Sequence, residues 1–290
     1  MTEAVLRSPS APRAQRRSAG AVIRSIAIHV GLVLGAAISL FPIYWMFVAG
    51  TRQSADIYSA PPALLPGGEL AANVTTLFQD TTFATNLLMS IVIAVVYTLL
   101  AGLVAAMAGF ALAKYSFRGR QAILTVILLT MTIPYQVTLV PLFELMSSLG
   151  WINTAQAVIL PFTLNAFGVF FMRQSFLAFP TELIEAARLD GAGDFRIFYR
   201  IALPSIRPAL AVVALLMFMF QWNSFLWPLL VLTDPQLYTA PVFLGTLVGL
   251  SQTDFGALLL GTSITTIPTL IFFLVFQKQF VSGILAGALK

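Results

Sequence analysis

The chain is 290 residues long, 59% hydrophobic and only 9% charged, where soluble proteins carry roughly 25% charged residues. So few charges cannot cover a soluble surface of this size, so most of the chain needs an apolar solvent. The absence of cysteine excludes disulfides, thiolate metal sites and a cysteine nucleophile, and a single histidine, His29, is too little for a histidine-based metal site. The formal net charge of +5 is read below from where the basic residues fall.

Residues 1–25 are polar and rich in Arg and Ser, the composition of a disordered basic tail. The apolar run that follows is longer than the roughly 7–15-residue core of a signal peptide and reads as an uncleaved anchor. Crossing a hydrocarbon core of about 30 Å at about 1.5 Å per residue takes roughly 20 apolar residues. Six runs meet that length: Ile26–Ala49, Asn86–Ala113, Ala122–Phe143, Ala155–Met172, Ala209–Leu232 and Phe255–Phe276. The fourth is the shortest and carries Pro161 and Asn165. Between the first two spans, Pro61-Pro62 and Pro66-Gly67-Gly68 mark turns rather than a folded domain.

Short cytoplasmic loops retain Lys and Arg. The N-terminal tail, the second-to-third loop, the fourth-to-fifth loop and the C-terminal tail together hold fifteen of the sixteen basic residues, leaving Arg52 alone on the other side. The expected fold is therefore an all-α integral membrane protein with six transmembrane helices and both termini cytoplasmic. A six-span domain over 26–280 would lie between the 1–25 tail and a 281–290 tail. The basic surplus is a topology signal, and no nucleic-acid partner is expected; the partner is membrane lipid.

No Asp, Glu, Lys or Arg lies inside the six runs, and His29 sits near one end of the first. Intramembrane ionisable groups are the usual mark of proton relays and ion-coupled carriers. The chain also lacks a Gly-x-x-x-x-Gly-Lys-Ser/Thr phosphate loop. Uphill transport would have to draw its energy from another chain.

The loop over 178–207 is where that energy could enter. Pro180 and Thr181 make a helix start, with Thr181 as N-cap and Glu182 in the first turn. Leu183, Ile184 and Ala187 fall at one-face spacing, and Gly191 stands just past the expected C-cap. Asp194 could cap a second short helix ending before Leu203-Pro204. By pattern alone this equally fits a loop helix lying at the interface, its arginines serving only topology.

Glu185-Ala186-Ala187-x-x-Asp190-Gly191-Ala192, followed by Ile201-x-Leu203-Pro204 and Pro208, resembles the "EAA" signature of importer permeases of the ATP-binding-cassette class. The resemblance covers most of the chain and is similar to the maltose-type smaller permease of the carbohydrate branch. Phe41-Pro42-Ile43-Tyr44-Trp45, Pro61-Pro62-x-Leu64-Leu65-Pro66, Trp222-Asn223-x-Phe225-Leu226-Trp227-Pro228 and the closing Gly283–Lys290 segment fit that branch. The family usually ends in Gly-Leu-Thr-x-Gly-Ala-Val-Lys-Gly; here Ala286 and Leu289 depart from it and the last Gly is absent. The resemblance implies binding-protein-dependent sugar import across a bacterial inner membrane. Implied partners are a second permease, a cytoplasmic ATPase dimer and an extracytoplasmic solute-binding protein. ATP and Mg would be bound by the ATPase, with no cofactor in this chain. It also implies that the short helix is a coupling helix docked on the ATPase through Glu185, Ala186, Ala187, Asp190, Gly191, Leu203 and Pro204.

Polar groups inside spans need a partner or water. Gln136, Asn165, Trp222 and Asn223 are the pathway candidates, with Gln221, Ser224 and Trp227 nearby. Amides and aromatic faces suit a sugar, although hydrogen bonds between helices and interfacial anchoring explain the same residues more simply. A self-contained channel or facilitator is the competing reading. Within the importer class, glycerol phosphate, an amino acid or a peptide are the competing cargoes. No acid–base pair or nucleophile–base arrangement supports an enzyme.

Overall fold

The computed structural model describes residues 19–57, 59–248 and 253–288. Of the expected disordered tail over 1–25, residues 1–18 lie outside the described residues, as do Leu289 and Lys290 of the closing segment; residues 19–25 are instead the first turns of a helix, continuous with the apolar run that follows. All regular elements among them are helical. Packing separates residues 1–45 from residues 46–290, and each is described by itself.

The first unit is the body of helix α1 (Ala19–Ala49), which carries Pro42. Apolar residues fall on all its sides, the pattern of a helix with no water-facing stripe.

The second unit is built around α3 (Phe83–Lys114), which follows the short α2 (Leu70–Gln79). Next come α4 (Arg120–Thr130), α5 (Leu139–Ser148), α6 (Ala155–Ile159) and α7 (Ala166–Leu177). Beyond them lie α8 (Glu182–Leu189), α9 (Asp194–Ile197), α10 (Arg207–Trp222), α11 (Leu226–Val231), α12 (Ala240–Leu247) and α13 (Phe255–Ala288). Among the described residues, three helices are long and apolar enough to cross a membrane alone, and six segments qualify if each bent pair counts as one span.

Two of those bends fall inside expected spans, and a third expected span is interrupted. Arg120–Thr130 and Tyr135–Ser148 meet at 97°. The helix stops before Pro134, which is itself extended (φ −59, ψ 126), because proline offers no N–H to a helix and disfavours helical geometry at Ile133 before it. Ala155–Phe162 and Ala166–Leu177 meet at 45°, and Asn165 restarts the helix by accepting a 2.8 Å bond from Gly168 N–H. The expected Ala209–Leu232 span stops at Trp222, passes through Asn223-Ser224 and resumes at Leu226. It is entered from the Asp194–Ser205 segment at 86°, with Pro208 in the first turn of α10.

α3 packs most extensively on α7 and α10, along a line of small residues. Ala101, Ala105 and Ala106 are buried. A β-carbon at Gly168 would come within 2.2 Å of Met217 Cε and 3.2 Å of Ala105 Cβ. In lipid, where apolar burial gives little net drive between helices, such close backbone approach supplies the dispersion contact.

At the end of the bundle carrying Arg52, polar side chains fold the connections down. Asn86, fully buried, donates from Nδ2 to the Pro235 and Tyr238 carbonyls at 2.8 and 3.0 Å. Ser90 Oγ accepts from Ala240 N–H at 2.7 Å. Asn153 Oδ1 accepts from the Thr233 and Asp234 N–H groups at 3.0 and 2.9 Å. Arg52 donates to the Leu65 carbonyl through Nε at 3.1 Å and Nη2 at 2.6 Å. The proline-rich connection bends at 61, 65 and 68 and also holds α2, whose Asn73 donates to the Gly50 and Arg52 carbonyls.

Candidate functional site

The 178–207 loop lies against the C-terminal end of α3. Lys114 Nζ donates to the Phe179 carbonyl and, at 3.3 Å, to Thr181 Oγ1. Thr181 occupies the N-cap position of α8, yet its hydroxyl caps no helix N–H. It serves the lysine instead, a correction to its expected role. α8 ends in a Schellman turn: Ala192 N–H bonds the Ala187 carbonyl at 2.9 Å and Gly191 N–H bonds the Arg188 carbonyl at 3.0 Å. Gly191 reaches it at φ +77, a left-handed value that costs other residues a Cβ clash.

Ile184 and Ala187 form the buried face of α8, while Leu183 is exposed, so the expected three-residue apolar face is narrower by one. Glu185 and Ala186 are exposed, and Leu189 is 90% exposed. Asp190 is the C-cap. Ala187 therefore packs inward, and the outward surface is Leu183, Glu185, Ala186 and Leu189. Asp194 is the first residue of α9 rather than its cap, which is Gly193; its carboxylate pairs with Arg188 Nη2 at 3.1 Å instead. The Arg188 hydrogen bond holds the Asp194 carboxyl below the usual carboxylate range. The Arg188 guanidinium also stands 5.6 Å from the Tyr115 ring centre. A wide π-helical turn over Phe198–Ala202 continues into Leu203–Ser205, and Leu203 packs against the core.

The four pathway candidates do not converge. Gln136 is exposed in the short 3₁₀ turn after Pro134. Asn165 donates to the Tyr97 hydroxyl at 3.4 Å and lines a cleft of about 330 Å³ with Gly168, Val213, Leu216, Met217 and Phe220. Trp222 is buried; its Nε1 donates to the Thr265 carbonyl at 3.1 Å and its ring stacks on Phe218. Asn223, exposed at the C-cap of α10, lines a second cleft of about 340 Å³. Nearby, Trp227 is buried and donates to the Ala157 carbonyl at 2.9 Å, while the buried Gln221 amide nitrogen has no hydrogen-bond partner.

Residues 99–286 match the family described as binding-protein-dependent transport system inner membrane component. The chain belongs to that family. This permease is 36% identical over 275 residues to the arabinooligosaccharides transport system permease protein AraQ of Halalkalibacterium halodurans, covering 92% of this chain and 97% of the relative. The lactose transport system permease protein LacG of Rhizobium radiobacter is 36% identical over 259 residues, covering 89% and 94%. The sn-glycerol-3-phosphate transport system permease protein UgpE of Escherichia coli K12 is 33% identical over 264 residues, covering 88% and 94%. Among solved structures, a bacterial ABC transporter involved in import of the acidic polysaccharide alginate superposes with a TM-score of 0.76 at 26% identity, covering 91% of this permease and 98% of that chain.

The permease is thus a membrane-embedded transport subunit rather than an enzyme. The polar clamps that shape it (Asn73, Asn86, Ser90 and Asn153) belong to no motif in the sequence. One signal was present: an asparagine at the edge of an apolar run, such as Asn86, has to find partners once inside the membrane.

Proposed function

We propose that this permease forms half of the translocation pathway of an ATP-binding-cassette importer for a neutral saccharide, with six spans and both termini in the cytoplasm. It works with a second permease, an ATPase dimer that binds ATP and Mg, and an extracytoplasmic solute-binding protein. The observation that carries the reading is α8. Its inner face is seated on the bundle through Ile184 and Ala187 while Glu185, Ala186 and Leu189 face outward. A helix held on one side by the spans and free on the other can pass a push from a docked ATPase into α3 and α10. Asp190 and Gly191 end it sharply, and Leu203 and Pro204 relay the movement to the start of α10.

The relatives' names span neutral sugars and glycerol phosphate, so likeness alone leaves the cargo undecided. No Lys, Arg, Asp or Glu lines either cleft beside α10, which favours an uncharged solute, since an anion would need cationic partners. The test is purification from native membrane in mild detergent, followed by uptake and ATP hydrolysis in vesicles. Recovery of an ATPase and a second permease is expected, with Glu185→Lys and Gly191→Pro leaving hydrolysis uncoupled from uptake. A lone protein that passes sugar without ATP would overturn the reading.

A further inference from the structure

The breaks in three spans meet around one cleft. Its lining takes Tyr135 from beyond Pro134, Phe162 from the break before α7, and Asn223, Ser224 and Phe225 from the gap between α10 and α11, with Phe220 on the last turn of α10. Irregular backbone at membrane depth persists where it is buried in protein or lines a cavity. In transporters, discontinuous helices characteristically frame the solute site.

The chemistry of the wall is specific. Phe162 makes edge-on contacts to Tyr135 at 6.3 Å, Phe220 at 6.2 Å and Trp227 at 5.8 Å between ring centres, so the rings brace one another. Asn223 Nδ2 donates to the Met219 carbonyl at 2.8 Å, which orients the amide and leaves its Oδ1 available as an acceptor. The Ser224 hydroxyl stands beside it. The volume, about 340 Å³, falls in the range of small-ligand sites, roughly 300–1,000 Å³. Phe220 also lines the neighbouring 330 Å³ cleft that holds Asn165, so the two clefts follow one another along α10.

We propose that this cleft is a saccharide-binding subsite on this subunit itself, with Asn223 and Ser224 bonding sugar hydroxyls and Phe220 and Phe225 packing against the apolar face of a sugar ring. This rests on the neutral-saccharide reading above. Sugar C–H groups carry slight positive charge toward the negative face of an aromatic ring, while the hydroxyls need fixed donors and acceptors once water is lost. A lining without charge supplies both and gives an anion no counter-charge.

The test uses the whole importer, with its partner chains, in lipid vesicles, with labelled lactose and arabinotriose as probes. Uptake is measured alongside ATP hydrolysis stimulated by loaded binding protein. Asn223→Ala and Phe225→Ala are expected to lower uptake about tenfold, the scale of one lost hydrogen bond or ring contact, with hydrolysis and subunit recovery unchanged. Asn223→Gln should recover part of the loss. Wild-type uptake in both alanine variants would overturn the subsite alone. So would a parallel loss of uptake, hydrolysis and subunit recovery, which would make the cleft part of a subunit interface. A wild-type importer that carries labelled sn-glycerol-3-phosphate but neither probe would overturn the neutral-saccharide reading, and the subsite with it.

Discussion

Gly109 of α3 lies so close to Met172 of α7 that a β-carbon on the glycine would stand 2.7 Å from Met172 Cβ and from the Arg173 backbone nitrogen. The two helices touch here backbone to backbone. Gly109→Val has no room and should destabilise the protein by about 1–3 kcal/mol or more, read as a lower thermal midpoint in detergent. Gly102, on the same helix, has only Met217 Sδ at 4.0 Å. Gly102→Ala should therefore be neutral or raise stability by about 0.5–1 kcal/mol.

Gly191 poses a different problem, because a β-carbon there meets nothing within 4 Å and only the backbone angle is at stake. Gly191→Ala should cost about 1–2 kcal/mol locally and loosen the end of α8. Gly191→Asn, which tolerates the left-handed region, should retain more. The check is the ratio of uptake to ATP hydrolysis in the reconstituted importer, which should order Gly, Asn, Ala.

Asn86 answers two carbonyls from a fully buried position. Asn86→Ala strands both and should cost about 1–3 kcal/mol. Hydrogen exchange in the 235–240 segment should rise in the variant. Unchanged exchange there would remove the clamp assigned to this residue.

Trp222 separates a packing role from a solute role. Trp222→Phe keeps the stack on Phe218 but gives up the bond to Thr265, worth about 1 kcal/mol. A slightly lower melting point with full uptake is the expected result. Normal melting with lost uptake would return Trp222 to the solute pathway.

The Arg188–Asp194 pair is exposed on both sides, and exposed pairs contribute little. Because the Asp194 pKa is lowered, whatever stability the pair provides is present above the ordinary value of 3.8 and lost as pH falls through the lowered one. Melting curves of Asp194→Asn should overlay wild type at neutral pH. Wild-type stability should show no step from this pair across about pH 5–8.

The short helix at 182–189 and its glycine stop were legible because capping and propensity are local. The caps themselves were less so. Thr181 and Asp194 have the right residue type for capping, but each is bonded elsewhere, Thr181 to the distant Lys114 and Asp194 to Arg188 six residues earlier. Leu183 has the right spacing for the buried face, yet spacing does not say how wide a stripe the bundle will cover. The line through Gly109 and Gly168 carried no readable signal, since a glycine in an apolar run looks the same whether it faces lipid or another helix.

That this chain lives in a membrane, which of its segments are apolar enough to span one, and which loop carries the family motif can all be read along the chain. Those properties depend on composition, local periodicity and residue order. Packing between distant segments is what bends or breaks three of the expected spans, commits Trp222 but not Asn223 to Thr265, and gathers Tyr135, Phe162, Phe220 and Asn223 around one cleft. A proline or an asparagine tells the chain where it can break. The direction it takes afterwards is set by residues far away in the sequence that pack against the two halves.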